Sequence, residues 1–203
     1  KISYGALPLL LNQYKVLSSG GALGKGVGPL LIGLPQTARK LQKQEDVESF
    51  IQHASVAIPG ENTTAHLLFS LAFQEVKQKQ FIVFNEIENI ILTGNADAGV
   101  IIHESRFTYH QKGLELMMDL GAFWEQTTGA PIPLGGIVIK RSLDNSIAQQ
   151  IDAYIQQSVE YAFQHYYENT LPEFTTKNAQ EMSEEVMKQH IQLYVNNYSV
   201  QLG

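Results

Sequence analysis

The sequence predicts an α/β protein in two lobes around a central cleft, and three observations predict it. Apolar runs at 30–34, 54–58, 81–84 and 99–102 have the length of strands and alternate with stretches of helical period. From residue 54 to residue 103 the order strand, helix, strand, helix, strand is that of a parallel α/β unit. Segments 28–34 and 131–141 read as two strands crossing between lobes. That assigns residues 1–33 and 131–203 to a discontinuous first lobe and 34–130 to the second.

Composition narrows the function. The chain has 203 residues, a net charge of −6 and no cysteine. Disulfides, thiolate metal sites and a cysteine nucleophile are excluded. With no long basic block, nucleic acid is not an expected partner. No apolar run approaches the ~20 residues of a membrane span. The chain starts at Lys1 in mid-pattern without an initiator Met, so it is expected to be a fragment.

In order, Lys1 to Tyr4 ends a strand entering a helix, with Ser3 as N-cap, and Ala6 to Tyr14 carries leucines at helical spacing. Tyr14 to Leu17 is apolar and leads into a glycine-rich loop, Ser18 to Pro29. The loop is not a P-loop, because Ser19 stands five residues before Gly24 and Gly26 follows Lys25. The dinucleotide fingerprint fails as well, since Pro29 holds the place of its third glycine. Such a loop serves either positive φ and close backbone approach or direct ligand contact. Residues 35–53 read as one polar surface helix with Val47, Phe50 and Ile51 turned inward. After the strand 54–58 comes Pro59-Gly60-Glu61-Asn62-Thr63-Thr64 and an apolar helix from Ala65 to about Val76. Phe81 to Phe84 is a strand, Glu86 to Leu92 a short helix, and Gly99 to Ile102 a strand. Leu114 to Leu120 is another strand, then Phe123 to Thr127 a helical turn and Ile137 to Lys140 a strand. From Asp144 the pattern is helical: a long helix with Ile147, Ile151, Ile155 and Val159 on one face, a shorter one at 171–177, and a third capped by Ser183.

Chemistry concentrates at two places. His103 stands where the 99–102 strand stops, followed by Glu104, Ser105 and Arg106. In open α/β sheets the ligand crevice lies outside the carboxyl ends of strands, and a titratable ring there is a candidate for chemistry. Thr63 and Thr64 open a helix after a strand and a tight turn, which makes an anion site from free N–H groups and the helix dipole, or simply a cap. His66 is more simply structural, and His53, His110, His165 and His190 lie on polar or helical stretches. Glu104 and Arg106 read as a solvated pair or a contact between lobes, and Tyr109, Phe123 and Trp124 as lobe packing or an aromatic pocket. Neither His-Glu-x-x-His nor Gly-x-Ser-x-Gly occurs, so no zincin metal site and no serine-hydrolase elbow is expected. The expected crevice is rimmed by Ser3, the loop 19–28, Thr63, Thr64 and His103, and its ligand is small and anionic. This layout suits a solute-binding protein and equally an enzyme on the same scaffold.

Several segments carry a family resemblance: Lys1-Ile2-Ser3-Tyr4, the loop Ser19 to Leu30, Pro59-Gly60-Glu61-Asn62-Thr63-Thr64-Ala65, and Ile101-Ile102-His103-Glu104-Ser105-Arg106-Phe107-Thr108-Tyr109. Asp119-Leu120-Gly121-Ala122-Phe123-Trp124, Pro131-Ile132-Pro133-Leu134-Gly135 and Tyr194-Val195-Asn196 follow in order. On these the chain resembles the 1,4-dihydroxy-6-naphthoate synthase family of the futalosine route to menaquinone. The resemblance implies a cytoplasmic bacterial lyase with the periplasmic-binding-protein type II fold. That lyase cleaves cyclic dehypoxanthine futalosine to 1,4-dihydroxy-6-naphthoate and dihydroxyacetone with no cofactor and no metal. It puts the acid/base histidine on His103 and substrate contacts on Lys1, Ile2, Ser3, Thr63 and Thr64, and it leaves room for a homodimer. Two family features lack a counterpart: a first strand with a Ser-Pro-Cys-Pro-Asn-Asp-Thr loop, and helix beyond position 203. Both are expected to be missing by truncation or omission. The sibling chorismate dehydratases carry a Gly-Asp type motif after the corresponding strand, which counts against them here. A solute-binding protein for a small carboxylate is the rival of a different class.

Overall fold

The structure is a computed structural model, and it describes residues 1–41, 43–103, 105–166, 171–178 and 183–202. Along the chain run β1 (Ile2–Ser3), α1 (Leu7–Leu10), β2 (Tyr14–Val16), β3 (Ala22–Gly24), β4 (Leu30–Gly33), α2 (Pro35–Ala38) and α3 (Gln44–Ile51). Then follow β5 (Val56–Ile58), α4 (Thr64–Ala72), β6 (Lys79–Phe81), α5 (Ile87–Leu92), β7 (Ala98–Ile101), α6 (Ser105–Thr108), β8 (Glu115–Asp119) and α7 (Leu120–Thr128). The chain closes with β9 (Ile132–Gly136), β10 (Val138–Lys140), α8 (Asn145–Tyr166), α9 (Glu173–Asn178), α10 (Glu184–Tyr194) and α11 (Asn197–Val200). It forms two compact units, Lys1–Gly24 with Pro133–Gly203, and Lys25–Ile132. No described helix is long and apolar enough to cross a membrane.

The second unit is built on a five-stranded sheet in the order β6-β5-β7-β4-β8. β5 pairs in parallel with both β6 and β7, whereas β4 runs antiparallel to both β7 and β8. β8 therefore points the same way as β7, and both Ile101 and Asp119 sit opposite Leu30. One sheet edge thus collects the carboxyl ends of β5, β6, β7 and β8 and the amino end of β4. β4, β5 and β7 are buried along their whole length. Strands covered on both faces read as continuous apolar runs, as these do. Ile32, Ala57, Ile87, Ile91, Ile101 and Leu114 form the core between sheet and helix. α5 lies close on β7 because Gly99 has no side chain: a Cβ there would come within 2.5 Å of Ile87 Cγ2.

Several expectations are corrected. The 28–34 segment is not a strand crossing between lobes: β4 is an interior strand of one sheet, and the chain passes between units at Gly24–Lys25 and Ile132–Pro133. The helix read over 35–53 is two helices, α2 and α3, which bury Ala38 and Val47 with Ile51 respectively. Phe84 does not end a strand but starts a 3₁₀ turn, Phe84–Glu86, and β6 begins earlier, at Lys79. The turn read at 123–127 is a nine-residue helix, α7, capped by Asp119, whose carboxylate accepts from the amides of Gly121 (2.8 Å) and Ala122 (3.0 Å).

The first unit carries a three-stranded sheet, β1-β9-β3, and a β10-β2 ribbon. β1 lies against Gly135 and Gly136 of β9. The long helix α8 closes it, with Leu17, Ile139 and Ala148 buried against Ile137 and Ile155. The first half of the glycine-rich loop is fastened here. A Cβ on Gly20, whose φ is +75°, would meet Ile137 Cδ1 at 2.4 Å. The Ser199 carbonyl accepts from Gly20 N–H (2.8 Å), and Asn196 Nδ2 donates to the Leu23 carbonyl (2.7 Å).

Asp152 of α8 accepts from the amides of Ser18 (3.1 Å) and Ser19 (2.9 Å) and from the Ser19 hydroxyl. Partial burial pushes the carboxyl pKa up, but the hydrogen bonds from Ser19 and Ser18 outweigh it and hold the group below its usual value of 3.8. A depressed carboxylate stabilises the fold above its unfolded pKa, and that contribution is lost as pH falls through the folded value. Asp152→Asn is therefore expected to lower stability by about 1 kcal/mol at pH 7, the figure being reduced for solvent screening. In urea unfolding, the gap to the parent closes as pH drops below the carboxylate range. A gap that persists in acid contradicts this assignment.

Candidate functional site

The shared edge of the five-stranded sheet is where the predicted residues of the second unit gather. Pro59 to Thr63 follow β5, Phe84 lies beyond β6, Ile102 and His103 follow β7, Asp119 ends β8, and Val27 to Pro29 lead into β4.

His103 is exposed and has a φ of +57°, the one non-glycine residue in the left-handed region among those described. That conformation costs an L-residue about 1–2 kcal/mol. The imidazole meets the Phe84 ring edge-on, with centroids 5.2 Å apart and planes at 72°. Two residues on, the chain re-enters helix with Ser105, which is buried. Glu104 lies outside the described residues.

Arg106 acts within the second unit. Its guanidinium donates to the Gly28 carbonyl (2.8 Å), the Gly26 carbonyl (3.3 Å) and Asp119 Oδ2 (3.0 Å). Glu125 accepts from Gly26 N–H (2.7 Å). Thus the second half of the glycine-rich loop is clamped to the ends of β8 and α7 rather than left open. The Arg106–Asp119 pair is largely covered, with side-chain exposures of 16% and 26%. The sequence reading of Arg106 as a solvated or inter-lobe charge is corrected by this pairing.

Thr63 caps α4. Its hydroxyl donates to the Gly60 carbonyl (2.8 Å) and accepts from His66 N–H (3.1 Å). The hydroxyl proton is thereby engaged within the turn, and the hydroxyl oxygen takes one first-turn amide. Thr64 is buried. Thr63→Ala is expected to cost about 1 kcal/mol of stability, read as a lower urea midpoint, while Thr63→Ser keeps the cap. Equal midpoints for both variants contradict the capping role.

His66 is a structural residue. Its Nδ1 lies 2.7 Å from the Glu61 carbonyl and its Nε2 3.3 Å from Lys79 Nζ. A carbonyl only accepts and an ammonium only donates, so the partners assign the proton to Nδ1. His53, His110 and His165 are exposed, and the side chain of His190 lies outside those described. Trp124 packs within the second unit, its indole N–H donating to the Pro131 carbonyl (3.2 Å). No cluster of metal-ligating side chains occurs among the described residues.

Lys1, Ile2 and Ser3 belong to the first unit. Lys1 is exposed, Ile2 and Ser3 form β1, and the Ser3 hydroxyl accepts from Gly5 N–H (3.4 Å). Next to them the Tyr4 hydroxyl is buried with no hydrogen-bond partner among the described residues, and burial pushes its pKa up.

Sequence reasoning missed Glu88. It lies on α5 and is only 3% exposed. Its Oε2 accepts from Lys112 Nζ (2.7 Å) and from the Ser105 hydroxyl (3.3 Å), and its Oε1 is buried without a partner among the described residues. The signal was one acidic residue between Ile87 and Ile91, both fully buried, in a six-residue helix.

Comparison with known proteins bears on this geometry. A family model described as "Menaquinone biosynthesis" matches residues 1–203. The 1,4-dihydroxy-6-naphthoate synthase of Thermus thermophilus is 39% identical over 203 residues, covering 100% of this chain and 70% of that protein. The Streptomyces coelicolor protein of the same name is 38% identical over 208 residues, covering 100% of this chain and 69% of that protein. A solved Archaeoglobus fulgidus protein superposes with a TM-score of 0.83 at 27% identity, over 99% of this chain and 70% of its own. The ligand-binding component of an ABC-type import system from Staphylococcus aureus superposes at 0.60 with 11% identity, over 95% of this chain and 64% of its own. That last likeness is one of fold alone, and with it the α/β architecture is of the periplasmic-binding-protein kind.

Proposed function

This chain belongs to the menaquinone-biosynthesis family, and from that premise we propose that it is a 1,4-dihydroxy-6-naphthoate synthase: a carbon–carbon lyase that converts cyclic dehypoxanthine futalosine to 1,4-dihydroxy-6-naphthoate and dihydroxyacetone. What supports the reading is one juxtaposition. β5 and β7 are hydrogen-bonded neighbours running parallel, so the start of α4 and His103 lie beyond the same ends of adjacent strands. An anion-holding helix start beside an exposed imidazole is a workable arrangement for deprotonating a small carboxylate substrate.

In this mechanism the substrate carboxylate sits on the first-turn amides at Thr63 and Thr64. His103, as neutral imidazole, takes a proton from a substrate hydroxyl or activated carbon. The carbon–carbon bond breaks, the triose leaves, and aromatisation of the new ring draws the reaction forward. Lys1, Ile2 and Ser3 serve as substrate contacts. No cofactor enters the reaction, and the enzyme works in the bacterial cytoplasm.

The test is release of dihydroxyacetone from cyclic dehypoxanthine futalosine by the purified protein. Stoichiometric release with 1,4-dihydroxy-6-naphthoate is the expected result. Tight binding of a small carboxylate with no release overturns the lyase and favours a solute-binding protein on the same fold.

A further inference from the structure

We infer that Glu88 is a positioning residue for His103, acting through Ser105 on the turn that presents the imidazole. The inference deepens the proposed function and rests on His103 as the acid/base group.

The turn at His103 is held in a conformation its own residue disfavours, with φ at +57°. Such a turn relaxes unless both sides are fixed. Upstream it is fixed by β7, whose last residue, Ile101, pairs with Leu30. Downstream, among the described residues, Ser105 takes hold: it is buried, with its hydroxyl donating to Glu88 Oε2 at 3.3 Å. This bond is long for O–H···O. Glu88 itself cannot drift. It follows Ile87, which is fully buried and seated on β7 over Gly99. Four residues earlier on the same segment, Phe84 meets the imidazole edge-on. One short segment, 84–88, therefore touches the turn on either side: the ring at 103 and the hydroxyl at 105.

Packing does not explain a carboxylate here. Burying one is costly, and Lys112, itself 53% exposed, reaches only Oε2. Among the described residues Oε1 has no partner, a feature that native proteins retain sparingly. A leucine of similar size would satisfy the core without either penalty. The charge is retained where it grips the turn.

The test compares parent, Glu88→Ala, Glu88→Gln, Ser105→Ala and His103→Ala in the dihydroxyacetone assay, each checked for folding by circular dichroism. Misplacement of a reacting group by about 1 Å costs up to ~10²-fold, so Glu88→Ala is expected to lower kcat by about 10–100-fold with KM within ~3-fold. Glu88→Gln keeps an acceptor for Ser105 and is expected to recover to within about 5-fold of the parent, and Ser105→Ala to lower kcat by about 5–10-fold. A Glu88→Ala variant that melts earlier but turns over normally per folded molecule overturns the inference. Where Glu88→Ala does not fold, an unchanged kcat in Ser105→Ala overturns it equally. His103→Ala separates the two levels. If it stays active, the proposed function's assignment of His103 fails and takes this inference with it. If it is inactive while Glu88→Ala and Ser105→Ala match the parent, only the positioning role fails.

Discussion

His103→Ala and His103→Asn are expected to lose about 10²–10⁴-fold in turnover of cyclic dehypoxanthine futalosine, with dihydroxyacetone release as the readout. The size follows from the role, since one positioned acid/base group contributes that much and the other described imidazole at this end of the sheet is already engaged. His66 is tied to Glu61 and Lys79. The stability of these variants is expected to stay within about 1 kcal/mol of the parent, because an exposed residue leaves no cavity when truncated. Asparagine is the cleaner replacement. It tolerates the left-handed backbone found here, so it removes the ring and keeps the turn. Turnover within about 5-fold of the parent in His103→Asn contradicts the acid/base assignment.

Gly121→Ala is expected to have the largest effect on stability. Gly121 lies in the first turn of α7, and a Cβ there would stand 1.9 Å from the Val27 carbonyl oxygen and 2.8 Å from Ile132 Cδ1. The first obstacle is backbone, so no rotamer change relieves it. Either the 25–29 loop or the helix has to move. The loop is held by Arg106 and Glu125, and Gly28 already lies close, its own missing Cβ 2.9 Å from Gly121 Cα. Overpacking of this kind costs about 3 kcal/mol or more. For a chain of this size that lowers Tm by roughly 6–12 °C. A Tm within about 2 °C of the parent would show that the loop yields freely.

Much of the second unit was legible because its interior strands are covered on both faces. The runs at 30–34, 54–58 and 99–102 are continuous apolar stretches for that reason. Direction was not legible. A four-residue apolar run is the same read either way, so the antiparallel course of β4 depends on pairing with residues as distant as Asp119. β3 was missed because the glycines around it mask it, and β9 was read only as part of one long strand over 131–141. β9 contains Pro133, Gly135 and Gly136, and those glycines suit it to lie against β1. At the site, His103 and Thr63 were visible because each follows a strand. Glu88 was not, because nothing in a short helix tells which side chains point down. Arg106 was visible as a charge, but its attachment to the glycine-rich loop is a tertiary fact.

The discontinuous first unit has a consequence for how the chain acquires its structure. β1 pairs Ile2 with Gly136, and β2 pairs Tyr14 with Lys140. Neither partner emerges until the whole second unit has left the ribosome. An open chain of that length makes ring closure entropically costly, but a folded insert brings its two ends within reach beforehand. The second unit, whose sheet uses only residues between Leu30 and Asp119, is the natural first event, and the first unit forms around its completed termini. Substitutions such as Gly121→Ala thus bear on assembly of both units, because nascent β1 and β2 stay unpaired, exposed edges for as long as the insert is slow to fold.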